Sequence, residues 1–280
     1  MFEQIKALLS AVGSEKSTVI PITDENELKK IINEDYSEAF NNFKSANTIF
    51  RGSKKYTQNC LAVKYSPGIR VSQNTSNIYT KLLSDIFPSW SKFPKRNRSI
   101  IASFNSNIAK FYGNDVNKEL YIVFPKNGTK IAICPGNDIW FSFRKYSSFD
   151  DLTYFNDEFI KTASDVLNIS SNEIKEAFSS VSNAKALTIL DSLDKEFLEM
   201  CKINKIYNNL LNDYYQEWKK DNELYYSDYL EKIFFNNSGF QIKTVSEIQT
   251  NGRSEIWFEG TALFLPMDSF LEEFYKIKLF

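Results

Sequence analysis

The chain has 280 residues with 34 basic and 35 acidic side chains, a formal net charge of −1, and no histidine. Without histidine there is no Ser-His-Asp or Cys-His nucleophile system, no histidine-ligated zinc or non-haem iron, and no HExxH protease or HxE deaminase. General acid–base work falls to Glu, Asp, Lys, Tyr or Cys. Apolar residues at 42% and aromatic residues at 15% exclude an intrinsically disordered chain, and the balanced charge excludes a protein that coats nucleic acid by overall basicity.

The opening MFEQIKALLSAVGSEK carries Glu3 and has neither a basic leading region nor a long apolar core. It is expected to form a short amphipathic helix rather than a signal peptide. No apolar run approaches the roughly 20 residues of a membrane span. Cys60, Cys134 and Cys201 are odd in number and widely spaced, which suits reduced thiols, so the cytoplasm is the expected compartment. Residues 1–46 read as N-terminal helices: Asp24 is a plausible cap, and Leu28, Ile31, Ile32 and Tyr36 fall at helical spacing.

Residues 47–146 read as the first part of a β core. Short β-branched and aromatic runs (NTIFRG, CLAVKYS, RSIIASF, ELYIVFP, KIAIC, DIWFSF) alternate with Pro67-Gly68, Asn127-Gly128 and Pro135-Gly136. Asn127-Gly128 between two apolar runs predicts a hairpin. Residues 147–237 switch to helical periodicity, with Ser170 or Ser171 and Glu173 or Glu176 as start signals. Residues 238–280 return to strands, with Glu259-Gly260 expected as a hairpin turn, and end in a short helix. The expected architecture is α+β: N-terminal helices, and a β core interrupted by a large helical insertion.

Three segments carry candidate chemistry. Arg51 ends a strand and precedes Gly52, so a guanidinium fork lies where the backbone can approach a phosphate or ribose; an arginine paired with an acid at a sheet edge is the plainer alternative. Ser99 and Ser103 bracket a short strand, and Asn105 or Ser106 can cap a helix bearing Ile108, Ala109 and Tyr112. Just before it, Lys92, Lys95, Arg96 and Arg98 form the densest positive cluster, interleaved with Trp90 and Phe93; this is either a solvated face or a contact for phosphate or nucleic acid. Finally, Glu255 enters an apolar strand, where a carboxylate needs a partner or a task.

In order, an arginine strand, a serine strand running into a helix, and a late glutamate strand resemble the ADP-ribosyltransferase fold of the Arg-Ser-Glu class. The resemblance covers 47–146 and 238–266. It places Arg51 as the family arginine, Ser103, six before Ala109, as the family serine, and Glu255 as the glutamate. Ile101 replaces the first serine of the family's Ser-Thr-Ser motif, with Ser99 as the candidate substitute. The resemblance implies a split β-sheet and NAD as substrate, with no metal. Arg51 with Gly52 would hold the pyrophosphate, Ser99 and Ser103 would line the site, and Tyr79 or Tyr112 would stack on nicotinamide. Glu255 would bond the ribose 2′-OH and stabilise an oxocarbenium-like state.

Arginine-modifying members usually carry Glu or Gln two residues before the glutamate. Arg253 stands there instead and would repel a guanidinium. With Lys95, Arg96 and Arg98 it implies an anionic or hydroxyl acceptor, on nucleic acid or protein. The resemblance further implies a toxin or effector of bacterial or phage conflict, with a neutralising antitoxin or chaperone as a partner and no membrane. Two other readings stand beside it: a catalytically degenerate phage structural or binding protein of the same fold, and a helical interaction module on a β platform.

Overall fold

The computed structural model describes residues 17–56, 60–69, 77–111, 118–143, 149–234, 239–249 and 255–277. The chain divides into two units: one takes its described residues from 1–70, 93–137 and 240–280, the other from 71–92 and 138–239.

The first unit is built on strands β1 (Thr18–Ile22), β2 (Phe50–Lys54), β3 (Ala62–Ser66), β4 (Ser99–Ser103), β5 (Lys118–Pro125), β6 (Lys130–Ile133), β7 (Gln241–Thr244), β8 (Glu255–Glu259) and β9 (Ala262–Pro266). Among the described residues they form one sheet in the order β1-β3-β9-β5-β2-β4-β8-β6-β7. Every pairing is antiparallel, so the chain is α+β. The sheet is nearly divided. β2 and β5 pair over five residues, but β2 and β4 meet at the single pair Phe50↔Ser103.

Helices α1 (Glu25–Asp35) and α2 (Ser37–Lys44) supply the apolar layer over one sheet face. Leu28, Ile32, Tyr36, Ala39 and Phe40 join Ile100, Ala102, Ile256 and Phe258 in one core. Asp24 caps α1, its side chain accepting from the Glu27 N–H at 2.7 Å.

Both expected hairpins are absent. β5 pairs with β2 and β9, whereas β6 pairs with β7 and β8, so Asn127-Gly128 carries the chain across the divide. Its side chain serves the helices instead: Oδ1 accepts from the Glu38 N–H at 3.0 Å at the start of α2, and Nδ2 donates to the Ser37 hydroxyl at 3.1 Å. β8 and β9 likewise lie apart, and Gly260, at φ +95°, turns the chain back across the sheet. Strand β1 interrupts the zone expected to be helical. Its Pro21 lies on an edge strand, where a missing N–H is tolerated. The expected helix over residues 1–16 lies outside the described residues.

The second unit is helical, with α3 (Ile78–Lys81) followed, beyond the short α4 (Ser106–Ala109) of the first unit, by α5 (Phe149–Leu167), α6 (Ser171–Ser179), α7 (Ala184–Lys202), α8 (Asn209–Trp218) and α9 (Tyr226–Phe234). Aromatic rings dominate its core, with Phe155, Phe159, Phe178, Phe197, Tyr214, Tyr226 and Phe234 all but fully buried. Ser170 and Glu173 form a reciprocal capping box at the start of α6. Lys81 Nζ pairs with Asp85 at 3.3 Å and donates to the Ser180 and Val181 carbonyls at the other end of that helix. A final helix, α10 (Met267–Ile277), returns to the first unit, where Phe270 packs on Phe43 and Phe124. Among the described residues no helix is long and apolar enough to cross a membrane.

Candidate functional site

β4 runs between β2 and β8, and its register with β8 is continuous: Ser99 opposes Glu259, Ile101 opposes Trp257, and Ser103 opposes Glu255. Opposed residues share a face. Because Ile100, Ala102, Ile256 and Phe258 fill the core, the alternate residues Ser103, Glu255, Ile101 and Trp257 occupy the other face. On the far side of β4, Arg51 of β2 donates from Nη1 to the Ile101 carbonyl, and its buried Nε has no hydrogen-bond partner among the described residues. Arg51, Ser103 and Glu255 therefore stand on three successive strands.

Glu255 is 2% exposed and Ser103 is fully buried. A carboxylate taken out of water needs a counter-charge. Here that charge is Arg96, whose Nη1 lies 2.7 Å from Glu255 Oε1. The Cys134 thiol lies 4.0 Å from the same oxygen, and the Cys134 N–H continues the ladder by donating to the Glu255 carbonyl at 2.9 Å. Among the described residues Oε2 of Glu255 accepts no hydrogen bond.

Arg96 reaches this position because the segment before β4 is fastened to β8. Trp257 Nε1 donates to the Pro94 carbonyl at 2.8 Å, Phe93 stacks on the same indole with centroids 6.3 Å apart, and Phe240 meets it edge-on at 6.2 Å. The Lys95 N–H donates to the Glu259 carboxylate, and Ser99 Oγ donates to the Lys95 carbonyl at 2.8 Å. A tight turn over Arg96–Arg98 then lays the guanidinium across the Trp257 ring, 5.5 Å from its centroid.

The candidate residues thus fall into distinct places. Gly52 is buried within β2, and Ser99 is buried with its hydroxyl engaged by Lys95. Asn105 caps α4, accepting from Asn107 and Ile108, and its own N–H donates to Ser103 Oγ at 3.1 Å. Lys92, Lys95 and Arg98 are exposed, as a surface cluster requires. Arg96 is not: at 7% exposure it belongs to the interior, and its assignment to an acceptor-binding surface is corrected by its pairing with Glu255. Tyr79 lies in the helical unit and is buried at 2% exposure. Tyr112 and Arg253 lie outside the described residues.

Sequence reasoning missed the role of Arg96 because its partner is 159 positions away. The available signal was indirect: a carboxylate on a buried strand demands a cation. Beside Arg51, burial raises the Tyr56 and Tyr121 phenols, and the Glu119 carboxylate, 2.6 Å from the Tyr121 hydroxyl, raises the latter further. Both therefore act as neutral hydroxyls near pH 7, and neither supplies a base. Among the described residues no group of three or more Cys, Asp or Glu side chains is placed to hold a metal ion.

Chemically, the arrangement offers one fixed carboxylate with one oxygen engaged, a neighbouring serine, and a guanidinium on the next strand but one. It can accept a hydrogen bond from a hydroxyl and oppose positive charge developing beside it. Comparison with protein-family models, with curated protein sequences and with solved structures finds no match to this chain.

Proposed function

We propose that the protein is an NAD-dependent ADP-ribosyltransferase of the Arg-Ser-Glu kind, with its site on strands β2, β4 and β8. The observation that carries this reading is the register Ser103↔Glu255 on adjacent strands, with Arg51 on the next strand. The near-division of the sheet at Phe50↔Ser103 supports the same reading.

In the proposed reaction Arg51 holds the pyrophosphate, and Glu255 accepts a hydrogen bond from the ribose 2′-OH. The bond between ribose C1′ and the nicotinamide nitrogen breaks, and its electron pair leaves with nicotinamide. The carboxylate stabilises the positive charge on C1′. An acceptor oxygen or nitrogen then bonds to C1′ and releases its proton. Arg253, two before Glu255, favours an acceptor on nucleic acid or an acidic or hydroxyl side chain over a guanidinium. A toxin or effector role, a neutralising partner and a cytoplasmic location belong to this same reading.

A second reading, a binding protein that retains the fold without catalysis, is favoured by the enclosure of Glu255 against Arg96 and by Ile101 in the serine motif. Turnover of adenylate-labelled NAD by wild type and Glu255→Gln, with protein, RNA and DNA offered as acceptors, separates the two. Label transfer by wild type and its loss in a Glu255→Gln variant that still melts cooperatively, at whatever lower temperature the broken pair with Arg96 sets, supports the enzyme. Absence of NAD consumption by folded wild type with every acceptor supports the binding protein.

A further inference from the structure

We propose that Arg96 is a positioning residue for Glu255: it fixes the carboxylate through Oε1 and directs Oε2 to the ribose hydroxyl of NAD, a role that rests on the ADP-ribosyltransferase reading. The contact is one-sided. Nη1 of Arg96 takes Oε1 at 2.7 Å, and no hydrogen bond among the described residues reaches Oε2. With the two side chains 8% and 2% exposed, water is largely excluded, so the guanidinium rather than solvent sets the rotation of the carboxylate.

Arg96 can impose an orientation because it is itself held. Its guanidinium lies over the Trp257 ring, two residues along β8 from Glu255. Its backbone is held through the neighbouring residues Pro94 and Lys95, which bond to Trp257, Glu259 and Ser99. The carboxylate therefore sits on β8 and its orienting cation on the short turn that leads into β4, a turn these bonds fasten to β8. Arg51, whose guanidinium bonds the Ile101 carbonyl, remains separate from this pair, so the two arginines divide the work of holding substrate and setting the carboxylate.

The test is steady-state NAD turnover by the full chain as wild type, Arg96→Lys, Arg96→Met, Glu255→Gln and the double variant Arg96→Met/Glu255→Gln, with a melting curve for each. A misdirected reacting group loses rate on the order of 10²-fold. Arg96→Met is therefore expected to lower kcat by about that factor with KM changed less than about twofold. Arg96→Lys is expected to restore the larger part of the loss. On the Glu255→Gln background the Arg96 substitution should change nothing further, because it acts only through that carboxylate. Should Arg96→Met not fold, Arg96→Lys carries the test, with a several-fold loss in kcat at constant KM. An unchanged kcat in the folded Arg96 variants overturns the positioning role while loss of turnover in Glu255→Gln preserves the transferase reading. A raised kcat also overturns it, since Arg96 would then be a block on the site. If wild type turns over no NAD with any acceptor, the transferase reading fails and the positioning role falls with it.

Discussion

Replacing Arg96 by Met tests the buried pair as a matter of stability, independently of any reaction. The substitution keeps much of the side-chain bulk over Trp257 but leaves Glu255 anionic at 2% exposure with its only described cation removed. Breaking one partner of a buried ion pair costs about 3–5 kcal/mol, because the stranded charge loses its compensation and regains no water. Removing both charges, as in Arg96→Met/Glu255→Leu, is expected to return stability to wild type or raise it by about 1–4 kcal/mol. The cycle should then show a coupling of at least about 3 kcal/mol, beyond the range of non-interacting sites. Urea titration read by hydrogen exchange in peptides spanning β4 and β8 is the appropriate assay, since the four tryptophans of the chain lie in both units and mix their signals. An Arg96→Met variant within about 1 kcal/mol of wild type would match an exposed bridge and refute the reasoning.

Three further outcomes are expected. Lys81→Met should destabilise the helical unit by about 1–3 kcal/mol, because it removes the donor from two helix-end carbonyls and one ionic contact of Asp85; an unchanged urea midpoint for that unit contradicts this. Gly260→Ala should cost roughly 1–2 kcal/mol from backbone strain alone. Gly260 has φ +95° and an added Cβ meets nothing within 4 Å, so a melt equal to wild type would deny the left-handed turn. The Glu173 carboxylate is held below its ordinary value of 4.5 by the Ser170 N–H and hydroxyl. Between the lowered folded value and 4.5 the unfolded chain binds more protons, so the capping contribution is complete above 4.5 and is lost as pH falls through the folded value. Melting curves of Glu173→Gln against pH should lack that acid-side slope; parallel curves for the two proteins would count against the box.

The sequence carried the elements better than their partners. Asp24, Ser170 and Asn105 act as helix caps because a cap is decided within four residues of chain. Asn127-Gly128 and Glu259-Gly260 have the composition of hairpin turns, yet which strands pair is decided by burial over long separations, and Asn127 is drawn to the start of α2. Edge strand β1 was hidden by Pro21. Arg51, Ser103 and Glu255 could be named because each sits in a strand or at its end. Arg96 could not be distinguished from Lys95 and Arg98, because a short irregular turn has no periodicity that separates a buried guanidinium from exposed neighbours.

The single rung between β2 and β4 has a consequence for how the sheet is held together. Counting along the strand order, the chain passes from one side of that rung to the other at β3–β4, β4–β5, β5–β6 and β8–β9. Covalent chain thus stitches the seam four times where the backbone ladder closes it once. Arg51, bonded to the Ile101 carbonyl, adds a side-chain clasp at that seam. Neither side is a continuous stretch of chain that could fold first and wait for the other, because each side interleaves segments from both halves of the sequence. The sheet must assemble as one cooperative body, and a single cut at the Asn127-Gly128 crossing would remove a stitch without freeing either side.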